Sequence, residues 1–308
     1  MFAAVFSTMF QVIVPISIPV VAGALLRRFT QLDVKPLLTL YLYFLSPAII
    51  FDTLSKASIS SGDIYQTLGF CLLNLLLLWA CAQLLSRALK LPQPESAGLT
   101  LMSTFTNSVN YGLPLVLLAF GQAGLDHASV YVITQMVIVN TVGIYFAARS
   151  HFSFRNAVVS IFRLPAIYAA ALAILLRTTG LQLPEGVDKG ITMVAGAYSP
   201  VVLAILGAQM VRVAGVKLEP HANKTFLAGM AVRLLLSPLI AAAGLWILRV
   251  EGTLFSVLLI LASMPAAVNA TVLAERYGAA PQIVSKCILW TTLASFLVLP
   301  ILLALVPG

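Results

Sequence analysis

Long apolar runs fill this chain, and short polar or charged stretches separate them. Each run is close to the roughly 20 residues that a helix needs to cross a bilayer. The pattern therefore predicts ten transmembrane helices, spans 1 to 10, joined by short loops. Their approximate ranges are 3–26, 35–54, 62–88, 95–122, 127–148, 157–178, 186–211, 224–248, 252–275 and 280–306.

The composition argues against a water-soluble protein. Hydrophobic residues make up 60% of the chain and charged residues 9%, and the mean hydropathy is +1.02. Soluble domains carry about 25% charged residues, so a soluble enzyme, a disordered protein or a nucleic-acid binder is not expected. Cys71, Cys81 and Cys287 lie inside apolar runs at spacings that fit neither a metal site nor a disulfide framework. We expect no metal and no cofactor.

Basic residues are distributed unevenly between the two sides of the predicted bundle. Of the 18 Lys and Arg residues, only Lys56, Arg177, Lys189 and Arg249 fall nearest to loops on one side. Cytoplasmic loops of membrane proteins are enriched in Lys and Arg, so the other side is predicted to be cytoplasmic. An even number of spans then places both termini outside the cytoplasm. We expect a multi-pass protein of a cell membrane, the bacterial inner membrane in particular.

Several sequence features recur in the same order in the two halves of the chain. Pro15 lies twelve residues before Arg27, and Pro165 lies twelve residues before Arg177. A Ser-Pro pair follows each arginine, and an Asn and Pro cluster comes later in each half. The first half has Ser46-Pro47 with Asn107, Asn110 and Pro114, and the second has Ser199-Pro200 with Pro265 and Asn269.

Each half contains five spans, which is an odd number, so the two halves insert with opposite orientations. Residues 1–150 and 151–308 are therefore predicted to form two inverted five-helix repeats of an all-α membrane protein. Inverted repeats of this kind are typical of secondary transporters. Chance recurrence of Ser-Pro and Arg at helix ends is the alternative.

Spans 4 and 9 carry helix-breaking residues in mid-span, at Asn107–Pro114 and Pro265–Asn269. Proline removes a backbone donor and clashes with the preceding turn, and the freed groups need partners inside the protein or beside water. Interrupted helices at matching positions of inverted halves point to a binding site at mid-depth. Helix starts and asparagine amides favour an anion there, with ordinary helix–helix hydrogen bonding as the alternative.

Three motifs resemble the auxin efflux carrier family, which includes plant auxin exporters and bacterial permeases for small dicarboxylates. The family's fourth helix is similar to NSVNYGLPL (107–115), its eighth to MAVRLLLSP (230–238) and its ninth to MPAAVNATVLAERYG (264–278). The resemblance covers nearly the whole chain. It implies crossing broken helices in spans 4 and 9, a scaffold of spans 1, 2, 6 and 7, and a moving domain of spans 3–5 and 8–10. This chain differs from plant members in lacking a long central cytoplasmic loop.

The resemblance also extends to span 5, which carries Gln135, Asn140 and Tyr145 at five-residue spacing. Plant members have Gln, Gln and Tyr at this spacing, and the last two lie in their substrate pocket. Asn140 and Tyr145 are therefore pocket candidates beside Asn107, Asn110, Pro114, Pro265 and Asn269. Interhelical hydrogen bonding and an interfacial tyrosine are the alternative.

Supporting roles are expected for residues around the site. The Ser46-Pro47 and Ser199-Pro200 pairs are expected to kink the scaffold spans opposite the crossing, with Gln135 as a further support. Arg233 is the deepest cation in the sequence, and we expect it to hold span 8 against a broken helix.

Together these features predict a secondary transporter that moves small organic anions (carboxylates) by elevator-type alternating access. The alternatives are an ion-coupled symporter of bile acids or other organic solutes and a non-transporting membrane receptor. A membrane enzyme is not expected, because the sequence has no HExxH, GxSxG or paired intramembrane Asp. The expected partners are the anion, the bilayer, a coupling Na+ or H+, and a second copy bound through the scaffold to form a homodimer.

Overall fold

The computed structural model describes residues 9–57, 59–148, 159, 162–214, 218 and 222–306. This part of the chain is helical, and its β-structure is limited to one isolated antiparallel bridge between Thr106 and Ala266. The helices are α1 (Phe10–Thr30), α2 (Val34–Lys56), α3 (Ser61–Ala88), α4 (Gln93–Thr104), α5 (Ser108–Ala148), α6 (Pro165–Thr179), α7 (Glu185–Gly196), α8 (Tyr198–Ala214), α9 (Asn223–Ile247), α10 (Gly252–Ala262), α11 (Val268–Tyr277) and α12 (Pro281–Leu305).

Seven helices in the described part of the chain are long and apolar enough to cross a membrane. They are α1, α2, α3, α5, α9, α12 and the pair α7–α8, which together form one spanning segment. The helices α6 and α10 are apolar but shorter. Large apolar side chains lie on the outer surface, where Phe29, Met193 and Trp246 are 74%, 77% and 79% exposed. Because such a surface suits lipid and not water, the chain is a multi-pass membrane protein, as its hydropathy pattern predicts.

The sequence pattern places most described helix ends within a few residues of their positions in the structure. The clearest difference lies between spans 4 and 5, where the pattern predicts a loop at 123–126. The structure instead has two helical segments that meet at Gly121, where the backbone is non-helical and its φ of 63° is a value that L side chains rarely adopt. A single glycine therefore makes the turn that the pattern assigned to a loop. The first part of span 6 lies outside the described residues.

Two short helices, α4 and α10, are enclosed by protein and end inside it. Their 12 and 11 residues extend about 18 and 16 Å, against about 30 Å for the hydrocarbon core of a bilayer. Every residue from Glu95 to Thr104 in α4 is buried, and so is every residue from Ser256 to Ala262 in α10. A helix that is buried on all sides belongs to the core. Both helices therefore end within the protein core.

Two glycines bring α1 and α8 into backbone contact. A Cβ atom on Gly23 would lie 1.9 Å from the Ala204 carbonyl oxygen, and one on Gly207 would lie 1.8 Å from the Val20 carbonyl oxygen. Only glycine permits this approach, because both distances are far below van der Waals contact. A second extensive pair is formed by α6 and α2. These contacts join the spans that the family resemblance assigns to the scaffold.

Adding one methyl group at Gly207 is expected to destabilise the protein by about 1–3 kcal/mol, because the new Cβ must push backbone apart. Gly190→Ala in α7 is the matched control, since a Cβ there meets no atom within 4 Å and alanine favours the helix. The melting temperatures of the purified variants and the wild type are compared in one detergent, and only Gly207→Ala is expected to melt lower. If Gly207→Ala melts with the wild type, the close contact does not exist in solution.

Candidate functional site

The two non-helical segments that follow α4 and α10 meet and hydrogen-bond to each other. The Asn107 backbone N–H donates to the Pro265 carbonyl at 2.8 Å, and the Ala267 N–H donates to the Phe105 carbonyl at 2.9 Å. Each segment thereby satisfies backbone groups of the other, which the interior of a membrane requires. Residues 105–107 and 263–267, called the junction below, form the centre of the candidate site.

Local sequence explains why helices stop and start here. Pro265 has no N–H to donate, so α10 cannot continue through it. Pro114 is the seventh residue of α5 and follows the π-helical turn Ser108–Gly112, and it lacks the N–H that would bond to that turn. The Asn107 carbonyl accepts from the Gly112 N–H at 3.0 Å and so begins α5. A Cβ on Gly112 would lie 2.7 Å from Leu261 Cδ2, so a glycine lets α5 approach α10 closely.

Buried polar atoms without partners are concentrated at the junction. Asn107 and Asn110 are 4% and 8% exposed, and Asn107 Nδ2 and Asn110 Oδ1 have no hydrogen-bond partner among the described residues. The same holds for the hydroxyls of Ser103, Thr106 and Ser108. Because buried polar groups in native proteins are nearly always hydrogen-bonded, this cluster indicates a place for a polar ligand or water.

The other predicted site residues differ in their burial. Pro265 is buried within it, whereas Asn269 is exposed in the first turn of α11. Gln135 is buried on α5, and Asn140 is half-buried with its Nδ2 donating to the carbonyl four residues earlier at 2.8 Å. Tyr145 is 51% exposed. A single cavity shared by the two interrupted spans stays a prediction.

Both Ser-Pro pairs follow an irregularity in their helix. In α2 a π-helical turn, Tyr41–Leu45, precedes Ser46-Pro47. The helix is interrupted at Ala197, between α7 and α8, just before Ser199-Pro200. The Ser46 side chain is fully buried, and its hydroxyl has no partner within the described ranges. Each pair therefore coincides with a departure from regular α-helix.

Arg233 on α9 contacts both short helices beside the junction. It is fully buried. Its Nη1 donates to the Ser103 carbonyl at 2.8 Å, and its Nη2 donates to the Ala262 carbonyl and to the Ser237 hydroxyl. Ser103 and Ala262 belong to the last turns of α4 and α10. The sequence predicted contact with one broken helix, and the structure has contacts with the ends of both short helices.

Tyr198 is a contact residue that the sequence analysis did not single out. Its side chain is 1% exposed, and its hydroxyl donates to the Val109 carbonyl in the first turn of α5 at 3.1 Å. The bond joins α8 to the helix that begins at the junction. No local pattern marks it, because the two residues are 89 positions apart.

A cavity of about 340 Å³ lies beside the junction, with α2 and α8 on one side and α11 and α12 on the other. Val268, the first residue of α11, lines it next to the junction. The walls of the cavity are mainly apolar, and the polar residues that line it include Gln209, Thr271, Glu275 and Ser285. The described lining includes neither Asn107 nor Asn269. Sequence reasoning missed these residues because four separate helices supply them.

Apolar helices long enough to span a bilayer, packed around a buried polar junction, define a multi-pass membrane protein. The chain belongs to the membrane transport protein family, the auxin efflux carrier-like family that its motifs indicate, and the family's sequence model matches residues 4–156 and 149–303. The family prediction made from three motifs is therefore confirmed.

Two similar proteins are both described as uncharacterized transporters. The one from Methanothermobacter thermautotrophicus is 29% identical over 259 residues, which cover 83% of this chain and 83% of the relative. The one from Methanocaldococcus jannaschii is 28% identical over 283 residues, covering 86% of this chain and 87% of the relative. The similarity therefore includes parts of both halves of the chain.

Removing the Tyr198 hydroxyl is expected to loosen the start of α5. Tyr198→Phe keeps the ring but loses a hydrogen bond worth about 0.5–1.5 kcal/mol. Amides of residues 108–112 should then exchange hydrogen for deuterium faster, as measured by peptide mass spectrometry. Tyr168→Phe is the control, because the Tyr168 hydroxyl donates to the Phe162 carbonyl at an exposed position. Loss of that hydrogen bond should leave the exchange of residues 108–112 unchanged. Equal exchange in the wild type and Tyr198→Phe would contradict this role.

Proposed function

We propose that this protein is a secondary transporter that moves small organic anions (carboxylates) by elevator-type alternating access. Membership of the membrane transport protein family supports transport. The observation that carries the choice of substrate is the junction, where two helices begin beside the buried, unpartnered Asn107 amide. The walls of the adjoining cavity suit the hydrocarbon part of an organic anion.

The chemistry of the junction suits a negatively charged group. The first turns of α5 and α11 begin there, and the free N–H groups and dipole of a helix start favour anions. Asn107 Nδ2 adds a side-chain donor that has no partner in the described part of the chain. An amide donates without the large desolvation penalty of a buried Lys. A carboxylate at the junction would therefore meet donors from backbone and side chain together.

We also propose ten spans in two inverted repeats, residues 1–150 and 151–308. The two most extensive helix contacts among the described residues, α1 with α8 and α6 with α2, support this arrangement. The first contact joins span 1 to span 7, and the second joins span 6 to span 2. If spans 1 and 6 are equivalent, and spans 2 and 7 are equivalent, the same contact occurs once in each direction between the repeats. The buried helices α4 and α10 and their reciprocal hydrogen bonds at the junction fit the same equivalence.

The position of the cavity supports a sliding motion between two groups of helices. One wall comes from α2 and α8, which belong to the scaffold spans, and the other comes from α11 and α12, which belong to the moving spans. Alternating access needs such a boundary, since one group must move against the other. The distribution of Lys and Arg assigns the loop between α11 and α12 to the cytoplasm. The cavity thus lies in the cytoplasmic half of the proposed transporter.

Substrate-driven counterflow in proteoliposomes tests the transport proposal. Purified protein is reconstituted with an unlabelled carboxylate inside, and uptake of the labelled form is followed for monocarboxylates, dicarboxylates and indole acids. We expect counterflow for at least one class without ATP, because the chain has no Walker loop. A receptor or an enzyme does not support counterflow. Absence of counterflow across the panel, or a requirement for ATP, overturns the proposal.

Both termini are expected to lie outside the cytoplasm, because most Lys and Arg residues fall on the opposite side. In a bacterial host, alkaline phosphatase fused after Gly308 should be active, and green fluorescent protein fused there should be dark. As a control, the chain is truncated in the loop after α3, which is assigned to the cytoplasm. The same reporters fused to that end should give the reverse pattern. A bright fluorescent fusion at Gly308 would show that the orientation is wrong.

Asn107→Ala is expected to weaken binding of the transported anion by roughly 10–150-fold, since it removes a charge-assisted hydrogen bond worth about 1.5–3 kcal/mol. Asn107→Asp should bind more weakly still, because repulsion is added to the lost donor. Asn269→Ala tests the second interrupted span in the same way. Asn223→Ala, at an exposed position that begins α9, is the control.

Ligand affinity and melting temperature are measured for each of these variants. Unchanged affinity in a folded Asn107→Ala protein would end the assignment of Asn107 to the site. A lower melting temperature with unchanged affinity would mean that the asparagine only holds helices together.

A further inference from the structure

Two negative helix ends point at one place beside the junction. The last carbonyls of an α-helix have no partner within the helix, and the end carries about half a negative charge. Both α4 and α10 end here, at Thr104 and Ala262. The two ends therefore concentrate unpaired carbonyl oxygens in the buried centre of the molecule, where water cannot compensate them.

The Arg233 guanidinium lies between these two helix ends. It donates to the Ser103 carbonyl of α4 and to the Ala262 carbonyl of α10, and the Ser237 hydroxyl also donates to the Ala262 carbonyl at 2.9 Å. No Asp or Glu in the described ranges forms an ion pair with Arg233. A fully buried charge needs compensation. Here the carbonyl ends of two helices supply it.

Carbonyl oxygens at interrupted helices are the groups that bind Na+ in many secondary transporters. We propose that Arg233 is a resident cation, which takes the place of a bound metal cation between the ends of α4 and α10. The planar guanidinium can donate in two directions at once, which a Lys ammonium on a flexible stem does less well. The junction then holds together without Na+, and a coupling Na+ at this place is excluded.

Chemical rescue of an Arg233 variant tests the resident cation without any knowledge of the substrate. Arg233→Ala should lower the melting temperature of the purified full chain by on the order of 10 °C, because it leaves two helix ends unpaired. Methylguanidinium chloride at about 10 mM should restore part of the loss, and choline chloride at the same concentration should not. The wild type should respond equally to both salts.

Arg177→Ala is the matched control, because Arg177 also donates to a backbone carbonyl, that of Ile59 at 3.3 Å, but from an exposed position. It should show no rescue by methylguanidinium. If Arg233→Ala does not fold, Arg233→Lys and Arg233→Gln replace it, and the lysine variant should melt higher because it keeps the charge. A glutamine variant as stable as the lysine variant, or an alanine variant without selective rescue, overturns the proposal.

The consequence for transport rests on the proposed function and is tested separately. Wild-type counterflow should be the same in sodium and choline buffers, since the cation at the junction is covalently attached. Counterflow that requires Na+ contradicts the resident cation while it leaves carboxylate transport standing. A chain that transports no carboxylate in either buffer contradicts the proposed function, and the melting experiments still decide the role of Arg233.

Discussion

An interrupted helix in a bilayer leaves backbone N–H and C=O groups that lipid cannot satisfy. In this protein two interruptions satisfy each other, through the bonds between Asn107 and Pro265 and between Ala267 and Phe105. Neither segment has these partners without the other, so the two must form together. The short buried helices α4 and α10 can end inside the protein because this pairing satisfies the backbone that follows them. Everything else at the candidate site is positioned relative to it.

The junction brings together helix ends of opposite partial charge. Four helix termini come together there, with the negative ends of α4 and α10 and the positive starts of α5 and α11. Arg233 contacts the negative ends through the Ser103 and Ala262 carbonyls. The positive starts have no acidic side chain in their first turns. If Arg233 compensates the negative ends, as proposed above, the positive helix starts remain to favour an anion, which is the physical basis for the proposed substrate class.

Sequence reasoning reached those features that depend on local chemistry. The length of the apolar runs indicated the multi-pass class, and proline and asparagine within spans pointed to residues 107–114 and 265–269. It missed features that depend on distant partners, such as the bond from Tyr198 to Val109 and the cavity lined by four helices. It also could not show that the break between spans 4 and 5 is made by the single residue Gly121, since a glycine before polar residues equally predicts a loop. The exposure of Asn269 depends on which face of α11 packs, which periodicity in a ten-residue helix does not settle.

The kind of contact differs between parts of the molecule, and this difference bears on the proposed motion. Gly23 and Gly207 fix α1 against α8 at backbone distance, which leaves no room for sliding within that pair. The hydrogen bonds of the junction and of Arg233 join α4, α5, α9 and α10, all from spans assigned to the moving group, so they need not break when that group moves. Between the groups lie the cavity, the hydroxyl bond of Tyr198 and a buried apolar cluster that includes Ile16, Leu115 and Leu203. In the proposed elevator motion, movement along this boundary would break that bond and leave the junction whole, so that an anion bound at the junction would move together with its binding groups.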